Sequence, residues 1–314
     1  MHSGTGRISR LIMYPMSLYE SGDSNGKISL AALFGNPLYD IDGITSDLSI
    51  ENLVFAACRG GWPSSLNRKT EKIMLFEALN YVENICESDA STVDGIKRSP
   101  DRVKAVLRAY ARNISTLATD KTILKDVTSN YMDISGPTLF SYLNVLERLY
   151  VIEDIPAWCP SIRSATTIRA GKKKGFTDPS IAVAALALSP ESLLFDMFTF
   201  GFIFESLCLR DLKIYSSALG GRVSYYRDRF SLEADCVLHL PDGRYALIEF
   251  KLGSREIEES AAHLTELKTL IQKANAENRV NLRPPDLLLV ITGGEMAYTR
   301  KDGVKIVPIG AMRN

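Results

Sequence analysis

Residues 246–253, ALIEFKLG, constrain the fold of this chain more than any other stretch. The apolar frame of Ala246, Leu247, Ile248, Phe250 and Leu252 is that of an inner β-strand, yet Glu249 and Lys251 share one face, because side chains on a strand alternate with a period of two. A surface strand with an ion pair along the pleat is the plain alternative, and such a pair contributes little. A core strand tolerates the two charges only where neighbouring elements supply partners, and the elements around it suggest what those partners are.

Upstream, LLFDMFTFGFIFESLCLRDLKIY (193–215) reads as one long apolar helix, followed by strand-like segments at 223–228 and 234–240, the turn PDGR (241–244) and the strand YALIEFKL (245–252). Downstream, 256–274 is an amphipathic helix with Ile257, Ala261, Leu264, Leu267, Ile271 and Ala274 inward, and DLLLVIT (286–292) is a buried strand. The order is αβββαβ, and a helix between two strands implies a crossover and a parallel pair. If PDGR closes a tight hairpin, Asp235 lies beside Glu249 and Phe250. Glu205 interrupts the apolar run GFIFESLCL, a costly place for a carboxylate without a partner or cation.

Four charged groups are thereby expected at one end of one sheet: Glu205, Asp235, Glu249 and Lys251. Carboxylates in such a set hold hard divalent ions, Mg²⁺ or its substitute Mn²⁺, while a lysine orients water and offsets charge on a pentacovalent phosphate. The expected metal ligands are Glu205, Asp235 and Glu249, with Lys251 as the fourth catalytic group, and the expected chemistry is phosphodiester hydrolysis. Histidine-based zinc chemistry is not expected, since His2, His239 and His263 have no partners at metal-ligand spacing.

Composition adds bounds. The 314 residues are 46% apolar, enough for two or three domains, and 37 basic residues balance 37 acidic ones, so a nucleic-acid surface has to be local. Cys58, Cys86, Cys159, Cys208 and Cys236 form no CxxC pair, which predicts free thiols and a cytoplasmic setting. The longest unbroken aliphatic run, IAVAALAL (181–188), is far short of a membrane span. GDSNGKI (22–28) is not a phosphate loop: three residues separate its glycines rather than four, and Ile28 follows the lysine where Ser or Thr is needed.

From 52 to 149 the pattern is helical. KTILKDVTS (121–129), the turn YMDISG and PTLFSYLNVLERLYVI suggest a helix-turn-helix, with Leu139, Leu143, Leu146 and Leu149 near one face and Thr138, Ser141, Asn144 and Arg148 on or near the other, where a recognition helix presents groups to bases. Between Ile155 and Thr177 lie Arg163, Arg169, Lys172, Lys173 and Lys174 and no acidic residue, a composition suited to a wing that touches phosphates. A three-helix packing unit with a solvated face and a flexible basic loop are the competing readings.

Asp235, Glu249-Phe250-Lys251 and Glu205 resemble the PD-(D/E)XK nuclease superfamily, with Ala234 in place of the proline that usually precedes the aspartate. The wider chain resembles the C-terminal two-thirds of a prokaryotic AAA-type ATPase family carrying domain of unknown function 4143, through HSGTGRISRLIMYPMSLYESGDS (2–24), GGWP (60–63), TLFSYLNVLERLYVIEDIPAW (138–158), FTDPSIA (176–182), GFIFESLCLRDL (201–212) and EADCVLHLPDGRYALIEFKLG (233–253). The resemblance implies a mixed α/β chain: an ATPase remnant at 1–80, a helical or winged helix-turn-helix region at 81–158, a basic linker or wing at 159–190 and an αβββαβ restriction-endonuclease-like domain at 191–314. It places Walker motifs upstream of the RISRLIMYPMSLYE-like segment. ATP hydrolysis by this polypeptide alone is therefore not expected, and ATP is implied only where an ATPase core is supplied. A truncated frame would leave residues 1–60 with an unpaired sheet edge and exposed apolar surface, favouring a partner chain or self-association. The expected function is DNA binding with Mg²⁺-dependent nuclease-like hydrolysis. The alternative is a non-catalytic DNA- or protein-binding module that regulates an ATPase.

Overall fold

The computed structural model describes residues 6–7, 12–158, 171–227, 232–278 and 281–314. Side-chain oxygens set where several helices start, each accepting a bond from a first-turn backbone N–H. Ser49 caps α1 (Ile50–Arg59), Thr70 caps α2 (Glu71–Asn84), and α3 is Pro100–Ala111; Thr119 caps α4 (Asp120–Asn130) and Ser135 caps α5 (Gly136–Arg148). Asp178 caps α6 (Pro179–Ala185).

The apolar run at 193–215 is not one helix. Asp196 accepts from the Thr199 N–H at 3.0 Å and from its hydroxyl at 2.6 Å, ending a short helix at Phe195 and starting α7, Met197–Ser217. Next come β2 (Arg222–Arg227), β3 (Glu233–His239), β4 (Tyr245–Lys251), α8 (Ile257–Ala276) and β5 (Leu287–Thr292), which is the expected αβββαβ order. Two short strands extend it: β6 (Tyr298–Thr299) and β7 (Lys305–Pro308). The sheet order is β2-β3-β4-β5-β7-β6. β4 pairs parallel with β5, and β5 with β7; the other neighbours are antiparallel. Central β4 and β5 are apolar on both faces because each face is covered. Phe200, Phe204 and Cys208 of α7 join the core containing Cys236, Ile248 and Ile291, and Ala261, Leu264 and Leu267 of α8 join the one containing Val237, Leu247 and Val290.

The start of the chain is built into this layer. Ile28–Ser29 (β1) pairs parallel with Met312–Arg313 (β8), the Ser24 hydroxyl donates to the Met312 carbonyl at 2.6 Å, and the Leu18 N–H donates to Asp211 Oδ2 at 3.0 Å. Ile28, Leu30, Leu33, Phe34 and Ile41 are buried. The expectation of an unpaired edge and exposed apolar surface over residues 1–60 is thus corrected for most of that segment: its strand finds its partner at the far end of the chain. Among the described residues there, Ile12, Met13, Tyr19 and Leu38 are large apolar side chains that stay exposed. Residues 12–17 make no ladder, and Pro15 has no N–H to give one.

α3, α4 and α5 are followed by two extended segments bridged antiparallel at Ile152↔Phe176 and Ile155↔Lys173. The return segment is clamped on both sides. Lys173 exchanges backbone bonds of 2.9 and 2.8 Å with Ile155, while Ser115 donates to the Lys174 carbonyl and Lys174 to the Thr116 carbonyl, each at 2.8 Å.

Candidate functional site

The hairpin register sets the site. Cys236 pairs with Ile248 and Val237 with Leu247, so Asp235 reaches the level of Glu249, and Asp235 Oδ2 accepts the Phe250 N–H at 3.0 Å. That backbone bond fixes the carboxylate against β4 without using a side chain. Glu249 and Lys251 follow on one face of β4, with Lys251 Nζ 3.3 Å from Glu249 Oε2. Glu249 is 2% exposed and its Oε1 is buried with no hydrogen-bond donor.

Glu205 projects from α7 toward Asp235, but a residue the sequence placed elsewhere lies between them. Lys173 Nζ is 2.7 Å from Glu205 Oε1 and 3.7 Å from Asp235 Oδ1, and stands 5.7 Å from the centre of the Tyr225 ring. The four expected groups do come together, with Lys173 as a fifth. They form two halves that meet at Asp235: Glu205 with Lys173, and Glu249 with Lys251. Among the described residues no group of three or more His, Cys, Asp and Glu side chains is placed to hold one metal ion. The set Glu205, Asp235 and Glu249 therefore does not converge on a single point, because an ammonium fills the space between the first two.

The electrostatics follow from burial. Glu249 is pushed up to about 9 by burial and then by the Asp235 charge, with Lys251 pulling it down. A proton on Glu249 can be shared with Asp235, which relieves the two facing carboxylates. Glu205 is raised to about 7, again mainly by burial, with Lys173 opposing and Asp235 adding. For Lys173 burial favours the neutral amine, but Glu205 and Asp235 outweigh it and hold the ammonium charged; Asp235 and Glu249 do the same for Lys251.

The expected nucleic-acid residues are dispersed. On α5, Thr138 shares a hydroxyl bond with the capping Ser135, Ser141 accepts from Arg98, and Arg148 donates to the Val93 carbonyl; Asn144 is exposed. Asn144 borders a cleft of about 400 Å³ that also contains Asp120, Glu147, Asp154, Lys172 and Lys174. Lys173 and Lys174 were expected on an exposed basic turn and are instead buried. Lys174 Nζ lies 3.1 Å from Asp154 and 3.2 Å from Asp120, and Asp154 also accepts from the Tyr110 hydroxyl. The alternating backbone bonds of the return segment draw both side chains inward, while Lys172 stays exposed. Arg163 and Arg169 lie outside the described residues. The signal available for Lys173 was that its segment ends in the buried Phe176 and faces the apolar Ile155, a pattern that a charge run obscured.

Residues 200–312 match a domain of unknown function, DUF4143. Residues 50–192 match a second one, DUF8612, which spans α1 to α6 and the bridged segments. No curated protein and no solved structure matches the chain. No helix among the described residues is long and apolar enough to cross a membrane, and Cys58, Cys86, Cys208 and Cys236 are buried free thiols.

Proposed function

We propose that this chain is a DNA-binding, Mg²⁺-dependent phosphodiesterase of the PD-(D/E)XK kind, acting at Asp235, Glu249 and Lys251. One observation carries the reading: a buried carboxylate pair in which Glu249 Oε1 has no donor, beside an ammonium held 3.3 Å away. Two facing carboxylates, one with an unsatisfied oxygen, have the donor chemistry that a hard divalent cation completes. Bound there, the ion would neutralise the scissile phosphate and lower the pKa of water. The chain's own groups do the rest. The Phe250 N–H orients Asp235, Lys251 offsets charge gathering on the phosphoryl oxygens, and burial strengthens both effects.

DNA would be held by the α3–α5 unit and the bridged segments in the manner of a winged helix, with Lys172, Arg163 and Arg169 touching the phosphates. Lys173 and Lys174 support the bridged segments from inside. The AAA-type ATPase context implied by resemblance belongs to the same proposal, with ATP entering only through a separately supplied core. A second reading, a non-catalytic regulatory module, draws on Lys173: an ammonium within 2.7 Å of Glu205 already neutralises part of the acidic set.

The two readings are separated by incubating the protein with plasmid and single-stranded DNA in Mg²⁺ or Mn²⁺. The nuclease reading expects metal-dependent cutting that falls about 10²-fold or more in Asp235→Asn and Lys251→Ala. Equal cutting by parent and variants, or none by the parent, leaves the non-catalytic module. Duplex binding should weaken in Lys172→Ala combined with Arg163→Ala and Arg169→Ala, and the slope of log affinity against log salt should become shallower by about 0.9 for each phosphate that the variant no longer neutralises. An unchanged slope returns that loop to the role of a linker.

A further inference from the structure

We propose that Lys173 is the resident cation of the Glu205 half of the site, and that removing its charge converts Glu205 into a ligand for a divalent cation. Lys173 Nζ lies at hydrogen-bond distance from Glu205 Oε1, 2.7 Å, and within ion-pair range of Asp235 Oδ1, 3.7 Å. It is the ion-pair partner of Glu205 among the described residues. Glu205 and Lys173 together are neutral, so the ionised site keeps one net negative charge, from Asp235 and Glu249 against Lys251. The orphaned Glu249 Oε1 marks where that charge lacks a partner.

Position follows from the backbone. Lys173 is delivered by the return segment, hydrogen-bonded to Ile155 on one side, while its neighbour Lys174 is bonded to Thr116 and Ser115 on the other. The Tyr225 ring covers the ammonium at 5.7 Å. Backbone bonds on both sides hold the segment that carries this ammonium beside Glu205. Glu205 is therefore closed to a metal as long as the segment that Lys173 belongs to stays docked. The cation content of the site is in this way tied to the helices and bridged segments rather than to the sheet alone, and Lys173 acts as a positioning residue.

The inference rests on the phosphodiesterase reading only for the chemistry of the ion, and the test separates the two. Free Mn²⁺ is followed by its electron paramagnetic resonance signal during titration of the full chain, in parallel with thermal unfolding. Glu205→Gln should bind Mn²⁺ as the parent does, Asp235→Asn should lose it, and Lys173→Met should bind about tenfold more tightly or take up an additional ion. The double variant Lys173→Met/Glu205→Gln should return to the parent's affinity, and Lys173→Arg should never leave it.

Lys173→Met leaves Glu205 buried without a counter-charge, so its thermal midpoint should fall and be raised again by Mn²⁺. The double variant lacks that charge and should fold regardless. A loss of Mn²⁺ binding in Glu205→Gln alone, or no gain in Lys173→Met, overturns the proposal. If only the Lys173→Met chain binds Mn²⁺, the proposal holds and the metal chemistry assigned to the parent fails. If no variant binds it, both fail.

Discussion

Replacing Arg210 with Met should lower the stability of the whole chain by about 3–5 kcal/mol, read as the urea midpoint at constant m-value. Arg210 is 3% exposed and lies between two fully buried carboxylates: Nη1 is 2.9 Å from Asp178 Oδ2, and Nη2 is 2.7 Å from Asp211 Oδ1. Each carboxylate ties in a separate part of the chain. Asp178 caps α6 and accepts the Gly61 N–H at 3.0 Å, and Asp211 accepts the Leu18 N–H and the Tyr215 hydroxyl. Gly61 is required at that junction, because a Cβ there would sit 2.1 Å from the Met16 carbonyl oxygen. Methionine keeps most of the volume, so the loss reports two stranded charges rather than a cavity. Adding Asp211→Asn to the variant removes one of those charges and should recover part of the loss. A drop below about 1 kcal/mol would mean that water reaches the carboxylates and that the knot does not hold the N-terminal segment.

Much of this arrangement was legible in the sequence where pattern and distance were both short. ALIEFKLG and ADCVLHL alternate around a turn with Gly243 at φ 88°, so the hairpin register and the approach of Asp235 to Glu249 follow from counting. Glu205 stood out because a carboxylate in an apolar helix needs a partner. The identity of that partner was not legible. Lys173 is 32 residues from Glu205, and a run of three lysines between glycines has the composition of a solvated turn, whereas backbone pairing on both sides directs two of the three inward. β6 and β7 are too short for periodicity to register, at two and four residues. The pairing of Ile28 with Met312 joins nearly opposite ends of the chain, which no local pattern encodes. Asp196 split the expected long helix because its capping bonds compete with helix propagation.

Glu249→Gln should flatten the fall in stability with pH and leave the variant more stable than the parent at pH 9. The folded protein holds the Glu249 proton up to about pH 9, through burial first and Asp235 second, against an ordinary value of 4.5 that the unfolded chain approaches. Below that ordinary value both states are protonated and the contribution is fully present. Between it and about pH 9 the unfolded chain binds fewer protons than the folded one, so stability is lost progressively as pH rises. Glu205, raised to about 7, adds a loss of the same sign that is complete near neutrality. Glutamine does not titrate, so only the Glu205 portion should remain in the variant, and above pH 7 its curve should be nearly level while the parent continues to fall by roughly 2–3 kcal/mol toward pH 9. Chemical denaturation from pH 5 to 9 checks this, and parallel curves for the two proteins would remove Glu249 as the cause. Mg²⁺ at pH 8 should raise the midpoint of the parent, because the ion would displace the Glu249 proton and pair with both carboxylates, and should leave the variant with little response. The carboxylate whose ionisation destabilises the fold at alkaline pH is then the group that a cation in the site would pair with.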